Sequence, residues 1–471
     1  MLHQTIVTID VGTTAIKFTL YQNHNQILTT ELRIQTYTEK SGKKYQKPLE
    51  ILDLLQTGIH SIIEEYPYPI HYIALSTAMH GLMPVYEDGS CGELLIWSDN
   101  QAAETAAAFR KSALSQSFYE KTGTPIHYMS PFSKLLWLKE TEQLPDNVIK
   151  WIGLKELVSN FFTGEYYLDY SAASATGLFN SLVLDWDNEI LTYLSISRRQ
   201  LPILVDTNTI LALSDETKKA LGLSPQTQLL IGASDGCLAA YAGYLNTELS
   251  VSLTLGTSGA IRKITADREL DSEGKTFCYY LKKGLWVVGG PTNNGGTVLE
   301  WLSKLFFNHP TAIFEHLDSA LEASSPGAEH LLFLPYINGE RAPMWEPFLT
   351  GSYQGITALH GQNEFIRAAV EGLLFNLKAI MDASPFPDQE ISINGGVFRH
   401  PALSQLTADI LGKDCLLSAN NEPCFGLLGL INQKALPQSD TNCQYIKKDT
   451  KNESQYLSFY HSFLETAKIN R

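Results

Sequence analysis

A short stretch near the start of the chain places an acid, two hydroxyls and a lysine around one turn: residues 10–17 read Asp-Val-Gly-Thr-Thr-Ala-Ile-Lys. Apolar residues alternate on both sides of it, which predicts two strands joined by a tight connection. Consecutive N–H groups in such a turn bind anions, and the hydroxyls of Thr13 and Thr14 add donors. Lys17 supplies a charge for phosphate, whereas Asp10 suits a hydrated Mg²⁺. We therefore expect a site for a metal-bound polyphosphate.

The turn has a counterpart about half the chain length later. Aligning Gly12 with Gly256 places Thr13 on Thr257, in "VSLTLGTSGAIRKI". Two domains of related topology would produce this pattern, and so would a chance similarity between two short turns. Two such turns facing each other could hold both ends of a triphosphate. Aspartic proteases also carry an acidic turn in each lobe, but Thr254 replaces the second acid here, which excludes their catalytic pair.

Asp235 lies between a predicted buried strand, residues 228–234, and a predicted helix that begins with it. Asp is common as the N-cap of a helix, so a purely structural role is one interpretation. The other is a general base beside a phosphoryl acceptor, since Gly236 leaves room for a substrate to approach. A helix N-terminus keeps the carboxylate ionised, and phosphoryl transfer depends more on positioning the hydroxyl than on strong basicity.

Two further segments follow predicted strands and carry side chains that suit a polyhydroxy compound. His80 belongs to "AMHGL", and Trp97 and Asp99 belong to "IWSDN". Together they offer hydrogen-bond donors, an acceptor and a flat apolar wall. Taken singly, each is as well explained by packing.

The elements that must position these residues form an α/β pattern. Short apolar runs that predict strands alternate along the chain with segments of helical spacing. Strand ends carry Gly, Asp and Thr, where such folds bind their ligands. The predicted strands include residues 72–78, 228–234, 285–290 and 390–394, and the predicted helices include residues 133–140, 153–162 and 364–382.

Composition limits the classes of function. The chain has 471 residues, too many for one ordinary core, so two domains are expected. The formal net charge of −15 argues against a nucleic-acid partner or an anionic membrane surface. The 6 cysteines form no CxxC pair, and no apolar run reaches membrane-spanning length. Because no signal peptide is visible either, we expect a cytoplasmic protein with reduced thiols.

With these residues in order, the chain resembles the FGGY carbohydrate kinases, a family that includes glycerol kinase, xylulokinase and gluconokinase. The segments "MSPFSKLLWL" and "GSYQGITALHGQNEFIRAAVEG" look like its two signatures. The segments "DVGTT", "LGTSG", "SDGCLAA" and "NGGVFRHP" occur in family order. Each motif alone has low specificity, but six in order span essentially the whole chain.

The resemblance implies an α/β fold of two ribonuclease H-like domains, as in actin and Hsp70, with ATP and sugar in the cleft between them. We expect an N-terminal domain at residues 1–245 and a C-terminal domain at residues 246–471. By resemblance, Asp235 contacts the sugar and takes the proton of its hydroxyl, and Asp10 binds the metal. The other implied contacts are those of ATP with Gly12, Thr13, Thr14, Lys17, Thr257, Gly296, Glu300, Gly396 and His400, and those of the sugar with Met79, His80, Trp97 and Asp99.

The expected substrate depends on the similarity of short segments to individual members of the family. "WSDN" and "SAASATGLFN" look like gluconokinase segments, whereas "AMHGL" is close to the QMHG of xylulokinases. The resemblance thus favours ATP-dependent phosphorylation of D-gluconate on its terminal hydroxyl to 6-phosphogluconate, with xylulose or another polyol as the alternative. A substrate carboxylate needs a local cation in so acidic a protein, and Lys155 and His80 are the candidates. An actin-like filament or an Hsp70-like switch is the competing class, and a homodimer would match many relatives.

Overall fold

The computed structural model describes residues 4–23, 25–384, 386, 390–418, 422–432 and 443–469. In the first half the strands are β1 (Thr5–Val11), β2 (Ala15–Gln22), β3 (Asn25–Arg33), β4 (Tyr37–Thr38), β5 (Lys44–Gln46), β6 (Tyr72–Thr77), β7 (Met83–Tyr86), β8 (Leu94–Leu95), β9 (Val148–Ile152), β10 (Tyr167–Asp169), β11 (Phe179–Asn180), β12 (Asp185–Trp186), β13 (Ile203–Val205), β14 (Ile210–Ala212) and β15 (Gln228–Ser234). The helices there are α1 (Pro48–Glu65), α2 (Ala103–Arg110), α3 (Leu114–Thr122), α4 (Pro131–Glu140), α5 (Leu154–Thr163), α6 (Tyr170–Ser174), α7 (Asn188–Leu194), α8 (Asp215–Leu221) and α9 (Asp235–Thr247).

In the second half the strands are β16 (Val251–Leu255), β17 (Gly259–Thr265), β18 (Phe277–Lys282), β19 (Leu285–Thr292), β20 (Leu332–Leu334), β21 (Ser352–Gln354), β22 (Glu390–Asn394), β23 (Asp414–Leu417) and β24 (Gln444–Ile446). The helices are α10 (Gly296–Phe307), α11 (Ile313–Ala323), α12 (Gln362–Asp382), α13 (Pro401–Leu411), α14 (Pro423–Asn432) and α15 (Glu453–Ile469).

A six-stranded sheet forms the centre of the first half, in the order β14-β15-β6-β1-β2-β3. Strand β1 pairs antiparallel with β2 and parallel with β6, which is parallel to β15. Val7, Ile9 and Val11 alternate along β1 and are buried, which fixes its register against the core. Because β1, β6 and β15 run parallel, their carboxyl ends lie at one edge of the sheet. Asp10 and Asp235 stand at that edge.

The seven-stranded sheet of the second half repeats this arrangement, in the order β18-β19-β17-β16-β22-β23-β24. Strand β16 pairs antiparallel with β17 and parallel with β22, which is parallel to β23. β16 therefore occupies the position of β1, and the turn at Gly256 occupies the position of the turn at Gly12. The similarity of the two glycine turns reflects a repeated topology, as two ribonuclease H-like domains require.

Helix α9 connects the two sheets and packs against α14. It begins directly after β15, as the sequence predicts, and the expected domain boundary after residue 245 falls in its last turn. Strand β15 itself is irregular, because its register against β6 shifts between Leu230 and Ala233.

Helices cover both sheets and bury separate apolar cores. Helices α1 and α5 pack on the first sheet, and α12 and α13 pack on the second. The segment between β6 and β15 adds smaller sheets and helices around a third cluster that includes Phe118, Phe132 and Leu135. Among the helices in the described ranges, none combines the length and apolar character needed to cross a bilayer.

Candidate active site

The turn between β1 and β2 presents unpaired backbone donors. The Gly12 N–H donates to the Ala15 carbonyl oxygen at 3.0 Å and closes the turn. Within the described ranges, the N–H groups of Thr13 and Thr14 have no protein acceptor. Thr14 is also exposed. The turn therefore has the free donors that an anion-binding loop needs.

Asp10 and Lys17 lie opposite each other on β1 and β2. Ser76 Oγ donates to Asp10 Oδ1 at 2.6 Å, and Oδ2 accepts no hydrogen bond from the residues that the structure describes. Burial raises the pKa of Asp10, and the hydrogen bond from Ser76 opposes the rise. The Lys17 ammonium forms an ion pair at 2.5 Å with Glu422, just before α14. Lys17 thus lies near the turn, but a phosphate would have to compete with Glu422 for its charge.

The second turn, between β16 and β17, has the same pair of donors. The Gly256 N–H donates to the Ser258 carbonyl oxygen at 2.9 Å. As in the first turn, the N–H groups of Thr257 and Ser258 have no acceptor among the described residues. The first residue of α10 fixes this turn, since the Gly296 N–H donates to the Gly256 carbonyl oxygen at 2.7 Å. Two equivalent turns with free backbone donors therefore occur in the described ranges, one in each half.

The loop after β22 meets the second turn at the start of α10. A Cβ at Gly296 would lie 2.8 Å from the Gly256 carbonyl oxygen and 3.6 Å from Val397. At Gly396, which precedes Val397, a Cβ would meet no protein atom within 4 Å. Glu300 lies one turn further along α10. Three residues predicted to contact ATP, at positions 257, 296 and 396, therefore come together here.

His400 lies at the start of α13, four residues beyond Gly396. Its Nδ1 is 3.1 Å from Asp318 Oδ2, and Asp318 Oδ1 accepts the Ala402 N–H at 2.9 Å. Phe314 stacks on the imidazole with the ring centroids 5.8 Å apart. These contacts orient His400 at the junction of α11 and α13.

Asp235 is the first residue of α9, and Ser234 is the N-cap, so the N-cap interpretation of Asp235 is wrong. Asp235 Oδ1 accepts the Gly236 N–H at 2.7 Å. Burial and then the negative charge of Asp10 raise the pKa of Asp235 to about 6, while the Gly236 N–H and Arg262 oppose the rise. A carboxylate with this pKa is ionised at neutral pH and accepts a proton more readily than an exposed aspartate does.

A cavity of about 230 Å³ lies in front of Asp235, between the two halves of the chain. Both halves contribute polar and aromatic side chains to its wall. The lining includes Met79, His80, Trp97, Asp235 and Gly236 from the first half and Ser258, Ala260, Arg262, Tyr279 and Arg341 from the second.

Besides Asp235, three of the residues predicted to contact the sugar line this cavity: Met79, His80 and Trp97. Burial lowers the pKa of His80 to about 3, so its ring is neutral at physiological pH. Its Nδ1 lies 2.8 Å from the Ala175 carbonyl oxygen and must donate, which leaves Nε2 as an acceptor. Trp97 Nε1 donates to Thr13 Oγ1 at 3.0 Å, so the cavity wall is joined to the first turn.

Asp99, the other predicted sugar contact, is fully buried and lies outside the cavity lining. Its Oδ2 accepts the Lys44 N–H at 2.9 Å, and Oδ1 has no partner in the described part of the chain. Burial raises the pKa of Asp99, and the charge of Lys134 opposes the rise. The side chain lies behind the wall and does not form part of it.

Neither cation considered from the sequence is available to a substrate carboxylate. His80 is neutral, and Lys155 is buried beneath the ends of β6 and β15. The Lys155 ammonium donates to three carbonyl oxygens of these strands at 2.8–3.2 Å and pairs with Asp169 at 3.4 Å. The cations that line the cavity are Arg262 and Arg341, which sequence reasoning missed. A local signal is that Arg262 and Lys263 follow the apolar start of β17, residues 259–261.

Arg341 lies over the face of Trp97, with its Cζ 5.0 Å from the ring centroid. Its Nη2 donates to the Thr292 carbonyl oxygen at 3.0 Å. Burial lowers the pKa of Arg341 to about 10, and Glu340 opposes this change, so the guanidinium stays charged at neutral pH. The contact joins the second half of the chain to the part of the cavity wall that Trp97 forms in the first half.

Comparison with known proteins agrees with this geometry. Residues 5–242 match the model of the N-terminal domain of the FGGY family of carbohydrate kinases, and residues 251–431 match that of its C-terminal domain. A gluconokinase from Bacillus subtilis (strain 168) is 35% identical over 442 residues, which cover 90% of this chain and 86% of the relative. A gluconate kinase structure from Lactobacillus acidophilus aligns with a TM-score of 0.91 and 30% identity, over 99% of this chain and 98% of that one. A ligand-bound xylulose kinase structure from Lactobacillus acidophilus gives the same values.

These matches confirm the family resemblance and the fold of two actin-like and Hsp70-like domains. They also confirm the prediction of an ATP-dependent carbohydrate kinase. The chain therefore belongs to the FGGY family of carbohydrate kinases.

Proposed function

We propose that this kinase transfers the γ-phosphoryl group of ATP to the terminal hydroxyl of D-gluconate and forms 6-phosphogluconate. The observation that carries the proposal is the cavity between the halves, where the Asp235 carboxylate shares one space with the guanidinium groups of Arg262 and Arg341. A sugar acid has a hydroxyl for the former and a carboxylate for the latter. The similarity to gluconokinases supports the same substrate.

In this proposal the two glycine turns bind the phosphates of ATP. The unpaired N–H groups of Thr13 and Thr14 supply donors from the first half, and those of Thr257 and Ser258 supply donors from the second. The open space at Gly396 receives the adenosine. Because both halves hold the nucleotide, their closure would exclude water from the transfer.

Asp10 fits the role of a ligand to a hydrated Mg²⁺. Its Oδ1 is held by Ser76, and its Oδ2 remains open to a ligand. Mg²⁺ keeps several waters and uses few carboxylates, so one acid together with the phosphates is enough. Accordingly, the described residues contain no group of three or more acidic, His or Cys side chains arranged around a metal position. When bound, the ion would offset the negative charge of the phosphates.

Asp235 orients the acceptor hydroxyl and takes its proton. The bond from the hydroxyl oxygen to the γ-phosphorus forms as the bond to the bridging oxygen of ADP breaks, and the proton passes to the carboxylate. With a pKa of about 6, Asp235 is ionised and ready to accept that proton at neutral pH.

Xylulose or another neutral polyol is the second candidate. The similarity to the xylulose kinase from Lactobacillus acidophilus supports it, and His80 and Trp97 would suit any polyhydroxy chain. A neutral acceptor, however, would offer no carboxylate to the arginines of the cavity.

ADP release measured with gluconate, xylulose, ribulose and glycerol tests the proposal. We expect gluconate to give the highest kcat/KM of the four. Turnover of xylulose without turnover of gluconate would contradict the proposal. The domain boundary after residue 245, the homodimer, the cytoplasmic location and the absence of a nucleic-acid partner stay predictions from the sequence.

A further inference from the structure

Arg262 places its guanidinium on the cavity wall. It follows Ala260 by two positions on β17, so both side chains face the same side of the sheet, and both line the cavity. Its guanidinium nitrogens make no hydrogen bond and no ion pair with the described residues. Arg262 is partly buried, and its guanidinium faces the cavity with its donors free for a ligand.

The first turn of α9 leaves room for this guanidinium. A Cβ at Gly236 would lie 3.5 Å from Arg262 Nη2 and 3.7 Å from Nε. The guanidinium therefore lies against the residue next to Asp235 without pairing with its carboxylate. Burial lowers the pKa of Arg262, and the charge of Asp235 opposes this change. The two charges are close enough to interact, yet no ion pair joins them in the described part of the chain.

The guanidinium of Arg341 has more contacts that compensate its charge than the guanidinium of Arg262 has. The negative charge of Glu340 opposes the lowering of the Arg341 pKa by burial. Trp97 covers one face of the guanidinium, and the Thr292 carbonyl oxygen accepts from Nη2. Arg262 has none of these contacts. Arg341 Nε is also buried without a partner in the described part of the chain, but Arg262 lacks an acceptor at all three of its guanidinium nitrogens.

We propose that Arg262 binds the carboxylate of the acceptor and thereby selects sugar acids over neutral polyols. The inference rests on the proposed function, in which the acceptor is a sugar acid. A sugar acid bound in this cavity of about 230 Å³ would present a hydroxyl to Asp235 and its carboxylate to Arg262, since both side chains line it. A planar guanidinium binds a carboxylate through two parallel hydrogen bonds. A neutral polyol cannot replace that charge and leaves the guanidinium unpaired.

D-gluconate and D-glucitol test this inference, because they share a carbon chain and differ in the carboxylate. kcat/KM is measured for both with the wild type, Arg262→Gln and Arg262→Lys. We expect Arg262→Gln to lower kcat/KM for gluconate by about 10²–10³-fold and to leave glucitol within about threefold. Arg262→Lys keeps the charge but loses the paired geometry, so it should retain part of the preference. It also keeps the test decisive if the Gln variant does not fold.

Arg198→Gln is the matched control, since Arg198 is exposed and pairs with Asp185 at the surface. It should leave the gluconate-to-glucitol ratio unchanged. An equal loss for both acceptors in Arg262→Gln would overturn the inference, as would a ratio that collapses in Arg341→Gln but not in Arg262→Gln. Failure of the proposed function looks different, because the wild type itself would then phosphorylate xylulose and not gluconate.

Discussion

The Asp10 carboxylate lies close enough to Asp235 for its negative charge to raise the pKa of Asp235. The two acids stand at the ends of β1 and β15, one strand apart in the same sheet. Ser76 holds one oxygen of the first, and the Gly236 N–H holds one oxygen of the second. Each acid thus keeps an oxygen for a ligand, and in the proposed mechanism Asp10 binds the metal while Asp235 takes the proton.

Replacing Asp235 by Asn should lower kcat by about 10²–10⁴-fold, the usual contribution of a positioned base. The amide cannot take the proton, but it fills the same space, so the Kd for ATP should stay close to that of the wild type. Steady-state ADP release and nucleotide binding measure the two quantities. Asp215→Asn is the matched control, because Asp215 also follows a Ser N-cap at the start of a helix and is exposed. Near wild-type turnover in Asp235→Asn would refute the assignment.

The rate should depend on pH through Asp235. Since its pKa is about 6, kcat/KM should fall as the pH drops below that value and the carboxylate becomes protonated. Asp10→Asn removes the charge that raises this pKa, so the midpoint of the acidic limb should move to lower pH while the overall rate decreases. A profile that is flat between about pH 5 and 7, or a midpoint that does not move in Asp10→Asn, would contradict this expectation.

Asp235→Asn should also stabilise the fold at neutral pH. An aspartate with a pKa of 3.8 in the unfolded chain and about 6 in the folded one binds its proton more tightly when folded. The free energy of unfolding therefore falls as the pH rises through this window, and Asn is free of that loss. We expect a gain on the order of 1–3 kcal/mol above pH 6, which should disappear near pH 4. Urea unfolding at the two pH values measures it, and a gain at both would contradict the linkage.

Lys155 should matter for stability and not for acceptor choice. Lys155→Met removes the donor of three strand carbonyls and leaves Asp169 buried without its cation, so the free energy of unfolding should fall by about 3–5 kcal/mol. Lys218→Met, whose partner Asp215 is fully exposed, should change it by less than about 1 kcal/mol. A stable Lys155→Met variant that loses its preference for gluconate over glucitol would show that Lys155 serves the substrate after all.

Two glycines near the second turn should respond differently to alanine. A Cβ at Gly396 meets no protein atom within 4 Å, so Gly396→Ala should leave thermal unfolding unchanged and raise KM for ATP several-fold. A Cβ at Gly296 would lie 2.8 Å from the Gly256 carbonyl oxygen, so Gly296→Ala should weaken both stability and ATP binding. An unchanged KM for ATP in Gly396→Ala would remove this loop from the nucleotide site.

The parts of the site that could be predicted from the sequence are those set by local order. At Asp10, the strand, the acid and the glycine turn follow one another directly in the sequence. At Asp235, a strand is followed directly by a helix whose first residue is the acid. The repeat of the first turn at Gly256 could be found because its residues are adjacent in the chain. Each of these features can be found from the hydrophobic periodicity of the strands and helices next to it in the sequence.

The rest depends on which surfaces meet in three dimensions. Glu422, the partner of Lys17, stands 405 residues later in the chain. Lys155 belongs to a helix of ordinary pattern, and nothing near it in the sequence announces the carbonyl oxygens that bind its ammonium. Arg262 and Arg341 reach the cavity only because the second half lies against the first. A rule that seeks cations near a motif could not find them.

The irregularity of β15 has a consequence for engineering. Between Leu230 and Ala233 the strand slips against β6, and Gly232 there has a left-handed φ of 69°. At this irregularity the Lys155 ammonium donates to the carbonyl oxygens of Ile231 and Ala233. The conformation of the Lys155 side chain therefore helps to set the direction in which β15 enters α9, and with it the position of Asp235. In the proposed mechanism, the alignment of Asp235 can therefore be changed by substitutions beneath the sheet, outside the proposed nucleotide and sugar contacts.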